Sequence, residues 1–271
     1  MRGFLVAWLL TASIGAASAG AAPCEVLLPC QVATGIYVAA APAAWNGRDR
    51  LPLLLFLHGY TGDGAAVLAD EALGPVANAA GFLLVAPNGE GGSWAHVGSP
   101  SHGRDDVAFL AAVVADARRR WPVDPRLMVA GGFSQGASMV WDLACYDAGD
   151  FTAFLSFSGD FWQPLPVACT SGPVWLRHVH GTADAMFPMT GRTVLQTYHQ
   201  GDLRQGFAVW RATDRCAAEP DRQAARDGLI CETWSRCASG AALQFCTFPG
   251  GHVMLGAFLA DGLAWVRSLA R

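Results

Sequence analysis

The chain has 271 residues, 52% of them apolar, with 22 acidic against 18 basic side chains and a net charge of −4. That length and apolar content suit one domain with a large core, and the mild negative charge excludes the basic, counterion-displacing face of a nucleic-acid-binding protein. Arginine supplies every one of the basic side chains, so Schiff-base chemistry and a phosphate-loop lysine are also excluded.

The first nineteen residues read as an export signal: Arg2 supplies positive charge, Phe4 to Leu10 an apolar core too short to span a bilayer, and Ala17-Ser18-Ala19 a small-residue cleavage site. A single catalytic domain is then expected over 20–271, with no later run long and apolar enough for a membrane helix. Thr34 to Ala40 is β-rich and Asn46 to Asp49 is a polar turn. Leu51 to Leu57 is almost wholly apolar, the pattern of a parallel strand buried on both faces, and it runs into the glycine-punctuated loop His58 to Gly64. Ala65 to Ala80 has helical spacing, Phe82 to Ala86 is a short buried strand, and Pro87-Asn88-Gly89 is a turn. The Gly-, Ser- and His-rich stretch Gly89 to Gly103, carrying Trp94, reads as a long surface loop lining a site. Asp105-Asp106 opens a helix that ends in Arg118-Arg119-Arg120, charges that complement the helix dipole.

Leu127 to Ala130 is the next buried strand, and Gly131 to Ser138, GGFSQGAS, follows it. A strand that turns straight into a helix puts Ser134 in a strained conformation, and only very small residues fit on either side; Gly132 and Gly136 supply that room. This is the nucleophile elbow Gly-x-Ser-x-Gly. Further strands are expected at Phe151 to Phe157, Val174 to Val179 and Leu243 to Phe248. Helices are expected from Thr190 onward and from Met254 to Leu269, with a disulfide-stapled excursion between Cys216 and Cys237. Strands alternating with helices give an α/β fold, a mostly parallel, doubly wound sheet. The eight cysteines suit an exported protein with up to four disulfides; Cys24 with Cys30 and Cys145 with Cys169 are the pairings that suggest themselves, among many that the sequence leaves open. The cysteine spacings lack zinc knuckles, and no metal is expected.

Chemistry in such sheets collects at the carboxyl ends of strands. Ser134, Asp184 and His252 each follow a strand, in the chain order Ser, Asp, His. A serine hydroxyl needs a base that takes its proton and later returns it, and the base needs a carboxylate to fix its tautomer. The oxyanion donors would be the backbone N–H groups of Gln135 and Tyr60. Asp106 and Asp214 are rivals to Asp184 that lack its position after a buried strand. His58 reads as a loop brace and His178 and His180 as packed residues. His96, His102 and His199 read as surface or loop histidines.

With these motifs in place, the sequence resembles the secreted esterases typed by polyhydroxybutyrate depolymerases and the related feruloyl and acetyl-xylan esterases. The stretches that carry the resemblance are LPLLLFLHGYTGDG, VAPNG followed by Trp94, DDVAFL, VDPRLMVAGGFSQGASM, HGTADAMFP and FPGGHVM. The resemblance implies an α/β-hydrolase fold, a cofactor-free acyl-enzyme mechanism, and Ser134, Asp184 and His252 as triad. The substrate expected is a small-molecule or oligomeric ester, hydroxyalkanoate first, up to polyester, with plant cell-wall esters as the alternative. Val253-Met254-Leu255 stands where the family often has a tryptophan, and Phe187 where a smaller aliphatic residue is usual; both bear on substrate class. The sequence also shows no Ser/Thr-rich linker and no second module for gripping a polymer, which favours soluble esters or oligomers. Tyr60, Trp94, Trp162 and Phe187 are candidates to wall an acyl pocket. A serine peptidase and a non-catalytic binding protein on the same fold are the competing readings. Oligomeric state does not follow from the sequence.

Overall fold

The computed structural model describes residues 24–270; the expected signal segment, 1–19, lies outside them. The expected strands all lie in one ten-stranded sheet, which three further strands complete. Its centre is built from β3 (Leu51–Leu57), β4 (Leu83–Pro87), β5 (Val123–Phe133), β6 (Ala153–Phe157), β7 (Trp175–Gly181) and β12 (Ala242–Phe248). These six run parallel in the order β4-β3-β5-β6-β7-β12. Antiparallel strands extend both edges. On the β4 side lie β2 (Gly35–Ala40) and β1 (Cys30–Val32), and on the β12 side β11 (Leu229–Trp234) and β10 (Arg222–Arg226).

Side-chain alternation sorts the strands' apolar residues onto two faces. Leu53, Leu55, Leu57, Ala130, Phe154, Leu176 and Phe245 share one core with α3 (Asp106–Arg120), α4 (Gln135–Tyr146) and α5 (Leu203–Thr213). Leu54, Phe56, Val129, Leu155, Phe157 and Val179 share the other with α1 (Gly64–Ala69), α2 (Gly74–Ala79) and α6 (Gly256–Leu269). Burial on both faces is why the central strands are continuous apolar runs. From β3 the chain moves one way to β4 and then returns to β5 on β3's other side. That reversal is a topological switch point at the carboxyl ends of β3 and β5, the place where doubly wound sheets bind ligands.

Two local expectations are corrected and a third gains internal structure. The helix expected over Ala65 to Ala80 is two helices. Asp70 ends the first, its carboxylate accepting the Ala72 N–H at 2.7 Å, and Pro75, without an N–H, is tolerated only in the first turn of the second. The region after Thr190 begins as a small hairpin, β8 (Thr193–Val194) with β9 (Tyr198–His199), turning at Leu195 and Gln196, which both have positive φ. Its β-branched and aromatic residues favour strand, and helix begins only at Leu203, capped by the Asp202 carboxylate. The excursion between Cys216 and Cys237 holds the β10–β11 hairpin, turned by Asp227-Gly228 at φ 52° and 81°, an Asp-Gly signal the sequence carried openly.

Cys24–Cys30 and Cys145–Cys169 are bonded as expected, the latter tying the end of α4 to the loop before β7. Cys216–Cys237 closes the excursion, and Cys231–Cys246 joins directly opposed residues of β11 and β12. Among the described residues no helix is long and apolar enough to cross a membrane.

Candidate active site

Ser134 follows β5 at φ 56° and ψ −121°, a region that side-chain-bearing residues avoid. Neighbouring backbone enforces it. A Cβ on Gly132 would strike the Gly136 carbonyl, and one on Gly136 would strike the carbonyls of Leu57 and His58. The Ser134 N–H donates to the Phe157 carbonyl at 2.9 Å, and its own carbonyl accepts from Ala137 and Ser138 at the start of α4.

Two loops bring the partners to it. The segment after β7 is laced to the segment after β12: Thr182 N–H donates to the Phe248 carbonyl at 2.9 Å and Ala183 N–H to the Gly250 carbonyl at 2.8 Å. This sets Asp184 beside His252, whose ring also lies 4.8 Å from that of Phe133. His252 Nδ1 is 2.7 Å from Asp184 Oδ2, and its Nε2 is 2.9 Å from Ser134 Oγ. A carboxylate only accepts, so Nδ1 carries the proton and Nε2 presents a lone pair to the serine hydroxyl. Asp184 is buried, and its Oδ1 accepts the N–H groups of Met186 at 2.9 Å and Phe187 at 2.7 Å. The structure thus brings the three residues into one hydrogen-bonded line.

Gln135 opens α4, so its N–H has no carbonyl within the helix to receive it. Tyr60 follows β3, next to β5 in the sheet, and a Cβ on Gly59 would touch that of Ser134. His58 braces this loop as expected: its Nδ1–H donates to the Gly59 carbonyl at 2.8 Å and its Nε2 accepts the Gly89 N–H at 2.9 Å. Burial holds its pKa below the ordinary imidazole value, in keeping with a neutral, doubly engaged ring. The long loop is stitched down beside it. Trp94 Nε1–H donates to the His58 carbonyl at 2.8 Å, and Thr61 N–H to Gly92 at 2.8 Å. The Val97 N–H donates to the Asp142 carboxylate of α4 at 2.6 Å; burial pushes that carboxyl up to about 7.

The pocket expectations need correction. Trp94 is 0% exposed and serves as a bolt under the loop, because its indole N–H reaches a carbonyl only by pointing inward. Trp162 and Phe187 are also buried, ring against ring at 6.3 Å, and Phe187 meets Asp184 through its backbone. Of the four proposed wall residues only Tyr60 is open, at 69% exposure. Met186 and Val253, at 58% and 44%, are exposed apolar residues within two positions of Asp184 and His252; Val253 stands in the stretch expected to bear on substrate class, whereas Met186 was not among the expected wall residues. The sequence reading also missed the Gln135 side chain, whose Oε1 accepts the Ser93 hydroxyl at 2.9 Å with Ser101 alongside. His96 is buried against Trp162, and burial lowers its pKa to about 4, whereas His102 and His199 do lie in exposed contacts. Asp106 is tied to Arg104 at 2.6 Å, and Asp214 lies beside Gly172, ahead of β7, at the other end of the sheet from Ser134.

No protein-family model matches the chain. NocK of Nocardia uniformis subsp. tsuyamanensis, named as an esterase, is 32% identical over 231 residues, 78% of this chain and 66% of that protein. Feruloyl esterase C of Emericella nidulans is 26% identical over 241 residues, 84% of this chain and 82% of its own. The probable feruloyl esterase C of Aspergillus oryzae is 29% identical, and there the chain spans 58% of the relative's length. The solved acetyl xylan esterase from Aspergillus awamori superposes with a TM-score of 0.59 over 84% of this chain and 94% of that one, at 14% identity, a likeness of fold alone.

Proposed function

We propose that this chain, a feruloyl esterase-like α/β-hydrolase, is a serine esterase that cleaves carboxylic esters through an acyl-enzyme on Ser134. The observation that carries the reading is the continuous line from Ser134 Oγ through His252 to Asp184, at 2.9 and 2.7 Å. His252 Nε2 takes the hydroxyl proton as Ser134 attacks the ester carbonyl, and Asp184 stabilises the imidazolium that forms. The Gln135 and Tyr60 N–H groups receive the developing oxyanion; losing one such donor typically costs about 10²–10³ in turnover. His252 then protonates the departing alcohol, and water repeats the sequence to release the acid. No step calls on a metal or cofactor.

The names of the fungal relatives favour plant cell-wall esters, feruloyl or acetyl, over the hydroxyalkanoates. Four disulfides and the expected signal segment favour action outside the cytoplasm. The test is hydrolysis of methyl ferulate, an acetylated xylo-oligosaccharide, a hydroxybutyrate oligomer and a short-chain nitrophenyl ester, each with wild type and Ser134→Ala. Cleavage of a cell-wall ester by wild type alone is the expected result. Preference for the hydroxybutyrate oligomer would overturn the substrate assignment, and equal rates in both proteins would overturn Ser134 as nucleophile.

A further inference from the structure

We infer that His180, backed by His178, is a positioning residue for this site: it locks the Asp184–Phe187 turn so that backbone saturates one carboxylate oxygen and the other is left for His252. The inference rests on the esterase reading for its catalytic meaning and on geometry of its own for its substance.

Both histidines are fully buried on the face of β7 that also carries Leu176; His178 packs against Trp141 of α4 and Phe245 of β12, and His180 against the rings of His178 and Phe187. Imidazoles withdrawn from water need hydrogen-bond partners, and these two belong to one hydrogen-bonded chain. The ends fix the outer protons and burial decides the inner ones: at one end Trp141 Nε1–H, which can only donate, is 2.8 Å from Ser156 Oγ. At the other the Phe187 carbonyl, which can only accept, is 2.8 Å from His180 Nε2, so the proton is on that nitrogen. A neutral His180 then has a lone pair on Nδ1, which accepts from His178 Nε2–H at 3.0 Å. His178 Nδ1 in turn accepts the Ser156 hydroxyl at 3.0 Å.

The alternative is a hydroxyl turned to the Gly159 carbonyl, 3.1 Å away. His178 would then need its proton on Nδ1, and one of the two rings would become an imidazolium sealed from solvent. Burial opposes that, holding His178 well below and His180 below the ordinary imidazole range. Asp184 is the negative group facing His180; His252 beside it, and Arg204 of α5 facing His178, weigh against a further positive charge.

Phe187 is thereby gripped from two sides. Its carbonyl receives His180, and its N–H goes to Asp184 Oδ1 together with that of Met186. His180 Nε2 lies 3.6 Å from Asp184 Oδ2, beyond hydrogen-bond reach, and so does not compete with His252 for that oxygen. A neutral His180 also leaves the aspartate charge to the imidazolium that forms on His252 during attack.

Two variants test this: His180→Phe keeps a ring and removes the N–H, while His180→Gln restores a donor near Nε2. Expected for His180→Phe are a kcat about 10- to 100-fold lower, a KM within about 3-fold, and a displaced acid limb of kcat/KM. His180→Gln should return most of the kcat. Wild-type kcat and pH profile in the phenylalanine variant, or an equal loss in both variants, would overturn the inference. Nitrogen-15 NMR of the histidines gives a readout that needs no ester. His178 and His180 should both appear as neutral Nε2–H tautomers at about pH 7 and above, and the His252 Nδ1–H resonance should move in His180→Phe. An Nδ1–H or cationic His180 would overturn it. A wild type with the expected tautomers but inert on every ester would count against the esterase reading and uphold the positioning geometry.

Discussion

Asp184 has its carboxylate oxygens committed to different tasks, one to two backbone N–H groups and one to His252. An amide at that position would present its NH₂ or its oxygen to Nδ1, and the NH₂ rotamer would force the imidazole into the tautomer that cannot take the serine proton. Asp184→Asn should therefore lower kcat by about 10⁴ with the fold intact, as in other serine hydrolases that lose this carboxylate. Steady-state kinetics beside a thermal melt check this, and a loss of under about 10-fold would assign the role to another acid. The three residues were legible in the sequence because each follows an apolar run in a fixed chain order. Their supports were not. The side chains of Ser93 and Gln135 meet across 42 positions, and His180 grips Phe187 through a carbonyl that every residue possesses. Trp94 was misplaced for a related reason: an indole in a glycine-rich loop can line a cleft or bolt the loop down, and only the position of the His58 carbonyl decides between them.

At the scale of elements, the elbow depends on α4 being pressed against the end of β3. A Cβ on Gly136 would meet the Leu57 and His58 carbonyls, which the sheet holds in place, whereas one on Gly149 would meet open space. Gly136→Ala should cost more than about 2 kcal/mol and most of the turnover, because backbone cannot retreat as a side chain can. Gly149→Ala should change neither by more than about 0.5 kcal/mol or its equivalent in rate. Urea melts with parallel ester assays measure both, and similar behaviour of the two variants would contradict the packing argument. The central strands were readable because burial on two faces makes them uniformly apolar. The α1–α2 break, the β8–β9 hairpin and the β10–β11 hairpin were not read. Their signals were only one or two residues long, Pro75 and the Asp227-Gly228 turn among them, set in stretches whose composition suited helix or loop equally well.

For the whole molecule, buried ionisable groups set opposing pH dependences. Burial pushes the carboxyls of Asp142 and Asp214 up to about 7, above their unfolded value near 4. The folded state then holds protons that the unfolded chain has released, so these groups lower stability as pH rises from about 4 to about 7. Buried His58, His96, His178 and His180 have lowered pKa values and act oppositely, withdrawing stability as pH falls through about 6.5. The wild-type profile mixes both, and Asp142→Asn isolates one. Relative to wild type this variant should gain about 2–3 kcal/mol between pH 5 and pH 8, at about 1.4 kcal/mol per pH unit up to the carboxyl's pKa. Thermal melts of both proteins at the two pH values measure it, and an unchanged difference would contradict the burial argument. The parallel order of the sheet followed from alternating strands and helices, but its reversal between β4 and β5, which places the switch point beside Ser134, is set by pairings over long separations that no local pattern encodes. The most direct test of the proposed chemistry is intact-mass spectrometry after treatment with an organophosphonate, on wild type and Ser134→Ala. One adduct per wild-type chain, mapped to Ser134 and absent from the variant, is the predicted result; a folded wild type without an adduct, or an adduct that persists in Ser134→Ala, would contradict it.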